Sequence, residues 1–415
     1  MKAQSYSLTA VLLSAVLLAG CAASPSATND DSAVEPADHG AVEGAQEMPE
    51  APLHLVTVDA SGTSGMLDLL TDEETELSEL KNIQNLQTEG RYLFADTGAG
   101  VDIVDSGMWS WNHTDHFHYY RGTPQTVGHL DGEGPAQIIG GPLSTAGSTG
   151  VYFPKTGRGI LLKNSELAKG NVSEQFTTQA SPHQGLLTPL GEGAITSEAK
   201  SETAPAQVQY LDAEGHPVDG ANAPCANPSD ATQTAAGLAI ACEEGILVAN
   251  EEQPGHPEFE LVKYPQGTTA DERVDQLEHR KARPVVAGLA GERGAWVINT
   301  RDLSMNRIME DQNLLKVTAV GDKDGNVVAV DASGRVLVYS TEAGKTTGVS
   351  KPVLQETVKN PQALASTNLV VDAQRAYVNA PAQKRVFEID FADSARIART
   401  LSPQIDPTWM TQVGN

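Results

Sequence analysis

The run Val327-Val328-Ala329-Val330, Asp331-Ala332-Ser333-Gly334, Arg335-Val336-Leu337-Val338-Tyr339 decides how the chain is read. Two β-branched, apolar segments flank a turn of Asp, Ser and Gly. Branched side chains suit a pleated, half-buried surface and the polar quartet supplies the turn, so the stretch predicts a β-hairpin. Outward from it, the same order of strand, turn and strand returns at Arg91-Tyr92-Leu93-Phe94-Ala95 with Val101-Asp102-Ile103-Val104, and at 150–163. It recurs at 185–197, 237–249, 294–298 and 368–390, the last ending Arg385-Val386-Phe387-Glu388-Ile389-Asp390. Units of about 30 to 55 residues repeated in this way suggest small sheets packed face to face around an axis, which leaves only short edges. The predicted fold is all-β: a β-propeller of about seven blades, with six or eight also fitting the irregular spacing. A pair of β-sandwiches is the alternative; the repeat unit is longer than a hairpin, which favours the propeller. Helix signals are sparse, and the acidic stretch from Thr71 to Leu80 reads as one short helical turn or a surface loop.

At the start of the chain, Lys2 precedes an apolar stretch from Leu8 to Ala19 that closes on Leu18-Ala19-Gly20-Cys21. The stretch is too short to span a bilayer and has the layout of a secretory signal. Small residues directly before a cysteine fit the narrow site of a lipoprotein signal peptidase. The expectation is a signal peptide over 1–20, lipid on Cys21, and a protein anchored to the cell membrane on its extracytoplasmic side. Residues 21–50 are Ala, Ser, Pro, Asp, Glu and Gly with almost no large apolar side chain, so they are expected to form a disordered acidic tether. The propeller domain is expected over 51–415.

Asp and Glu number 54 against 28 Lys and Arg, a formal net charge of −26. Nucleic-acid phosphates demand the opposite balance, so that class of partner is excluded. With Cys21 taken as the anchor, Cys225 and Cys242 are an even pair in an oxidising compartment and are expected to form a disulfide.

Chemistry concentrates in Trp109-Ser110-Trp111-Asn112-His113-Thr114-Asp115-His116-Phe117-His118-Tyr119-Tyr120. Three of the ten histidines fall here within six positions, with an aspartate among them. In an extended segment side chains alternate faces, so His116 and His118 point the same way and can close on one divalent cation. His113 and Asp115 stand at the strand's start, placed to serve as further ligands or to hold a ligating ring. A tetrahedral site needs another donor. His183, in Ser181-Pro182-His183-Gln184-Gly185, opens what reads as the inner strand of another blade, and inner strands line one channel. His39, His54, His216, His256 and His279 sit among polar, Pro and Gly residues and are expected to be solvated; for His129, between Gly128 and the turn at Asp131-Gly132-Glu133-Gly134, a place near the channel is open but nothing demands it. No nucleophile elbow, phosphate-binding loop or HExxH motif occurs, and no enzyme is expected.

These motifs resemble zinc metallochaperones of the AztD type. The likeness rests on His113 to Tyr120, on Ser181-Pro182-His183-Gln184-Gly185, and on the Cys225/Cys242 pair ahead of Glu243-Glu244-Gly245-Ile246-Leu247-Val248. It implies a propeller that binds Zn2+ outside the cytoplasmic membrane and passes it to the solute-binding protein of a zinc ABC transporter. The chain departs from the family's pattern at Gln184, where a second histidine is usual. It departs again after Cys225 and at Gly134-Pro135-Ala136-Gln137-Ile138, which lack the expected histidines, and in its tether, which holds only His39. The resemblance implies metal ligation by His113, Asp115, His116, His118 and His183. Two rival readings are a propeller that binds a protein or cell-wall polymer without metal, and a metal-dependent hydrolase.

Overall fold

The computed structural model describes residues 42, 44–112, 116–201 and 206–415. Cys21, His39, His113 and Asp115 lie outside the described residues, so the expectations placed on them are not addressed by it.

Among the described residues are nine antiparallel sheets, and eight of them are propeller blades that follow one another around the ring. Seven have four strands; the sixth has three, extended by a single bridge between Glu278 and Ala287. The innermost strands are, in order around the ring, Trp409–Val413, Asn85–Thr88, Gln137–Gly140, Leu187–Leu190, Asp230–Thr234, the bridge segment at Glu278, Leu314–Ala319 and Leu369–Val371. The first blade takes its inner strand from the far end of the chain: Trp409–Val413 pairs with His54–Val58. This closure joins the two ends of the ring in one blade and covers the inner edge of His54–Val58, while each blade keeps short edges of its own. The blade count is eight, the upper figure that the repeat spacing allowed.

The core explains why the repeats read as they do. Eight apolar clusters are present, one at each junction between successive blades. Val328, Val338, Val378 and Ile389, for example, fill the gap between the seventh and eighth blades. A second strand such as Asn326–Asp331 is buried on both faces, which is why it is almost continuously apolar, while the outer strand Lys345–Val349 is mostly exposed. The turn that opened the sequence reading is held by Asp331. Its Oδ1 accepts from the backbone N–H of Ser333 and of Arg335, each at 2.9 Å, and Gly334 takes φ +81°, a value other side chains rarely adopt.

Two sequence expectations change here. Glu74–Glu76, inside the stretch read as helical turn or loop, is the outer strand of the first blade, paired with Gly65–Leu67. Sheet pairing supplied by the fold overrides its acidic local composition. Residues 45–48, assigned to the tether, form a strand: Ala45–Met48 pairs antiparallel with Tyr119–Gly122. A four-residue strand of this composition has nothing to pair with locally, so the sequence offers no sign of it.

The expected disulfide is present between Cys225 and Cys242, with Cα atoms 5.1 Å apart. It ties the exit of the fourth blade's outer strand to the second strand of the fifth blade. Among the described residues, no helix is long and apolar enough to cross a membrane.

Candidate metal site and the two faces of the ring

Strand polarity sorts the candidate residues. Every inner strand runs the same way through the ring, so all begin on one face, here the upper, and end on the lower. In the second blade the third strand, Gly100–Asp105, descends to the lower face and the fourth, Gln125–Asp131, returns from it. Between them the chain makes an extra hairpin, Met108–Asn112 with Phe117–Gly122, and the N-terminal strand 45–48 adds to its free edge. The histidine run therefore belongs to an insertion on the lower face.

The hairpin is fixed to the ring at its base. Arg91 makes a two-point contact with Asp105, at 2.9 and 2.6 Å, and its guanidinium lies 3.9 Å from the ring centre of Trp109. Trp109 stacks on Tyr120 with centroids 5.0 Å apart. Ser110 Oγ donates to Gly414 O at 2.8 Å, and Arg121 approaches Asp68 at 3.5 Å. A charged pair of this geometry beneath an aromatic plane holds a strand more firmly than backbone pairing alone.

On that hairpin His116 and His118 face one another, Nε2 to Nε2, at 2.9 Å. His118 is 6% exposed, and its ring lies against Trp111 and Tyr120, with centroids at 5.5 and 6.2 Å. Its Nδ1 is 2.7 Å from Glu47 Oε1. A carboxylate only accepts, so the His118 proton sits on Nδ1 and its Nε2 accepts from the Nε2–H of His116. Two nitrogens on one tetrahedral zinc, each at about 2.0–2.1 Å, lie about 3.4 Å apart. The observed separation needs an opening of roughly half an ångström, within the reach of a small ring rotation. Among the described residues, no group of three or more His, Cys, Asp and Glu side chains is arranged to hold a metal ion.

His183 is placed elsewhere. It precedes the start of the fourth blade's inner strand, on the upper face, and does not join the pair on the lower face. Its Nδ1 lies 2.7 Å from Ser181 O and 2.9 Å from Tyr152 Oη. A carbonyl can only accept, so Nδ1 carries the proton. Nε2 lies 2.9 Å from Ser197 Oγ, which itself accepts from Leu186 N–H at 2.9 Å. The serine hydroxyl thus donates to Nε2 and occupies the lone pair a metal would need. Burial pushes the Tyr152 hydroxyl up to about 12, so it stays protonated within this network. The expected convergence of three imidazoles fails because His183 precedes the upper end of an inner strand, whereas His116 and His118 belong to a hairpin inserted on the lower face.

Two further histidines differ from expectation. His54, read as solvated, is 2% exposed; its Nδ1 donates to Pro52 O at 2.8 Å, and burial lowers its pKa. His279, also read as solvated, is on the wall of the central channel. Its Nε2 donates to Gln233 O at 3.1 Å, and burial pulls its pKa down to about 4. Both sit in segments whose polar neighbours in sequence are not their neighbours in space. His129 stands on the second blade's outer strand, half-exposed, with Nδ1 2.6 Å from Asp102 Oδ1.

The channel itself has a volume of about 1900 Å³. Its wall carries Asp230, raised to about 6 by burial, and Glu278, raised to about 7 by burial and by Asp230. Lys281 donates to Ser144 Oγ at 3.1 Å and to Asn415 O at 3.2 Å.

With this architecture in hand, comparison with solved structures is informative. A crystal structure of AztD from Citrobacter koseri superposes with a TM-score of 0.70 over 88% of this chain and 98% of its own, at 17% identity. The apo form of the same protein gives 0.70 over the same shares at 16% identity. The chain has an AztD-like fold. The likeness to AztD is one of backbone architecture. No protein-family model matches the sequence.

Proposed function

We propose that this protein is a zinc carrier outside the cytoplasmic membrane, tethered by lipid on Cys21, that binds the ion at the lower-face hairpin and passes it to the solute-binding protein of a zinc ABC transporter. The observation that carries the reading is the facing of His116 and His118, with His118 Nδ1–H donating to Glu47 and the two Nε2 atoms held at 2.9 Å by a hydrogen bond whose proton a metal ion would displace. Imidazole nitrogen suits zinc, and two rings on a rigid hairpin offer a bite near that of a tetrahedral ion. His113 and Asp115, neighbours of the pair in sequence, complete the ligand set in this reading, and His183 is no part of it. The AztD-like fold supports a carrier over a catalyst. A site on an exposed hairpin, beside Phe117 at 51% exposure, also suits an ion that must leave again to a docked receiver.

The test is metal analysis of the full chain purified without a histidine tag, followed by competition against a chromophoric chelator. One zinc per chain, lost when His116 and His118 are both changed to Ala, is the expected result. Substoichiometric zinc that ignores both changes overturns the proposal and favours a propeller that binds without metal.

A further inference from the structure

The strand Ala45–Met48 connects the proposed lipid tether to the ring, and it reaches the imidazole pair through one side chain. We infer that Glu47 is the positioning residue of the metal site, and that strand 45–48 is a strap whose docking and zinc binding at His116 and His118 strengthen one another. This rests on the reading of that pair as a zinc site.

The geometry argues for it in three steps. First, Glu47 Oε1 lies 2.7 Å from His118 Nδ1, on the side of the ring away from the Nε2 that faces His116. The carboxylate therefore holds the ligating ring without occupying the metal's position. A carboxylate on the remote ring nitrogen fixes the tautomer and raises the basicity of the other nitrogen. Second, Glu47 arrives on a strand paired along one side only, in the register Ala45 with Gly122, Gln46 with Arg121, Glu47 with Tyr120 and Met48 with Tyr119. Its four side chains are half-buried or exposed, so little apolar burial holds it. Short edge segments of this kind open at small free-energy cost. Third, a metal on Nε2 makes the His118 N–H a stronger donor, which tightens its bond to Glu47. By thermodynamic reciprocity, whatever docks the strap raises zinc affinity, and zinc docks the strap by the same factor. Loading of the hairpin is thereby felt by the segment that leads to the membrane.

The test uses the full chain with Glu47→Ala and Glu47→Gln, zinc as the probe, and three readouts. Chelator competition should show Glu47→Ala binding about tenfold more weakly at unchanged stoichiometry, the lower end of such effects because Glu47 is half-exposed. Glu47→Gln, which still accepts the Nδ1 proton, should recover most of that loss. Nitrogen NMR of the His118 ring should place its proton on Nδ1 in the metal-free wild type and show mixed tautomers in Glu47→Ala. Hydrogen exchange at residues 45–48 should slow on adding zinc to the wild type and stay unchanged in Glu47→Ala. Equal zinc affinity in wild type and Glu47→Ala, or exchange at 45–48 indifferent to zinc, overturns the inference while leaving the imidazole pair standing. Zinc binding that survives loss of both His116 and His118 removes the site itself, and the strap with it.

Discussion

Two histidine clusters occupy opposite faces of this ring, and they differ in what remains once local hydrogen bonds are made. On the upper face, His183 spends both ring nitrogens on its own neighbourhood: Nδ1 on Ser181 O and Tyr152, Nε2 on Ser197. On the lower face, His118 spends Nδ1 on Glu47 and aims Nε2 at a second imidazole nitrogen, which an ion can replace. The first arrangement consumes the lone pair and produces rigidity. The second pairs two imidazole nitrogens with one another, so an ion that displaces their shared proton gains two ligands at once. The presence of histidine, aromatic and hydroxyl groups is common to both; the distribution of protons and lone pairs separates binding from packing.

The largest expected effect tests that contrast directly. Changing His116 and His118 together to Ala should weaken zinc binding by about a hundredfold or more, whereas His183→Ala should leave it within about twofold, both read by chelator competition. A comparable loss from His183→Ala would break the division into a binding face and a packing face.

The next concerns the upper face, where the disulfide also lies. In the chain-entropy model, closing a loop across a sequence separation of 17 stabilises the fold by about 3 kcal/mol. Reduction should therefore lower the melting temperature by about 4 °C for a domain of this size, and zinc affinity should not follow. Calorimetry with and without reductant measures the first, and chelator competition in the reduced protein the second. A third, smaller effect is expected of His183→Ala, which strands the Ser197 and Tyr152 hydroxyls. It should cost about 2 kcal/mol in denaturant unfolding. An unperturbed midpoint would show that this cluster does not stiffen the upper face.

The smallest effect comes from the channel and belongs to neither cluster. Glu278 has its pKa raised to about 7, so the folded state holds a proton that the unfolded chain releases near its ordinary carboxylate value. Stability from this group is intact below about pH 4.5 and falls as pH rises toward about 7. Glu278→Gln should therefore stabilise the protein at pH 8 by about 1 kcal/mol, a figure kept small because the side chain borders channel water, and should change nothing at pH 4. Denaturant midpoints at the two pH values check the sign. His279 works the other way: with its pKa pulled down to about 4 it costs stability as pH falls below about 6.5, so over the shared range from about 4.5 to 6.5 the two slopes oppose one another and the wild-type profile should be nearly flat there.

Much of the architecture was legible in the residues. The hairpin at 327–339 is where it was read, because β-branched runs and an Asp-to-Gly turn encode it locally, down to the side chain of Asp331 that closes the turn. The repeat gave a propeller, and parity gave the disulfide. The facing of His116 and His118 followed from the two-residue period of an extended chain. Other features had no local signal. Glu47 stands in an acidic, apparently structureless stretch, and its partner is 71 positions away. His54 looks solvated beside its sequence neighbours and is enclosed by the fold, and His279 is half-buried on the channel wall, where it bonds Gln233 O of another blade.

What the sequence determined alone, then, is whatever depends on the period and chemistry of a dozen consecutive residues: strands, turns, and which side chains of one strand share a face. What only the tertiary structure decided is height along the ring axis. The repeat specifies that a strand is innermost but not at which end of it a preceding loop emerges. That polarity placed His183 with Tyr152 and Ser197 on one face, and brought Glu47 to His118 on the other. Side-chain alternation is a property of a single extended segment, whereas proximity between segments is set by how eight sheets close into a circle.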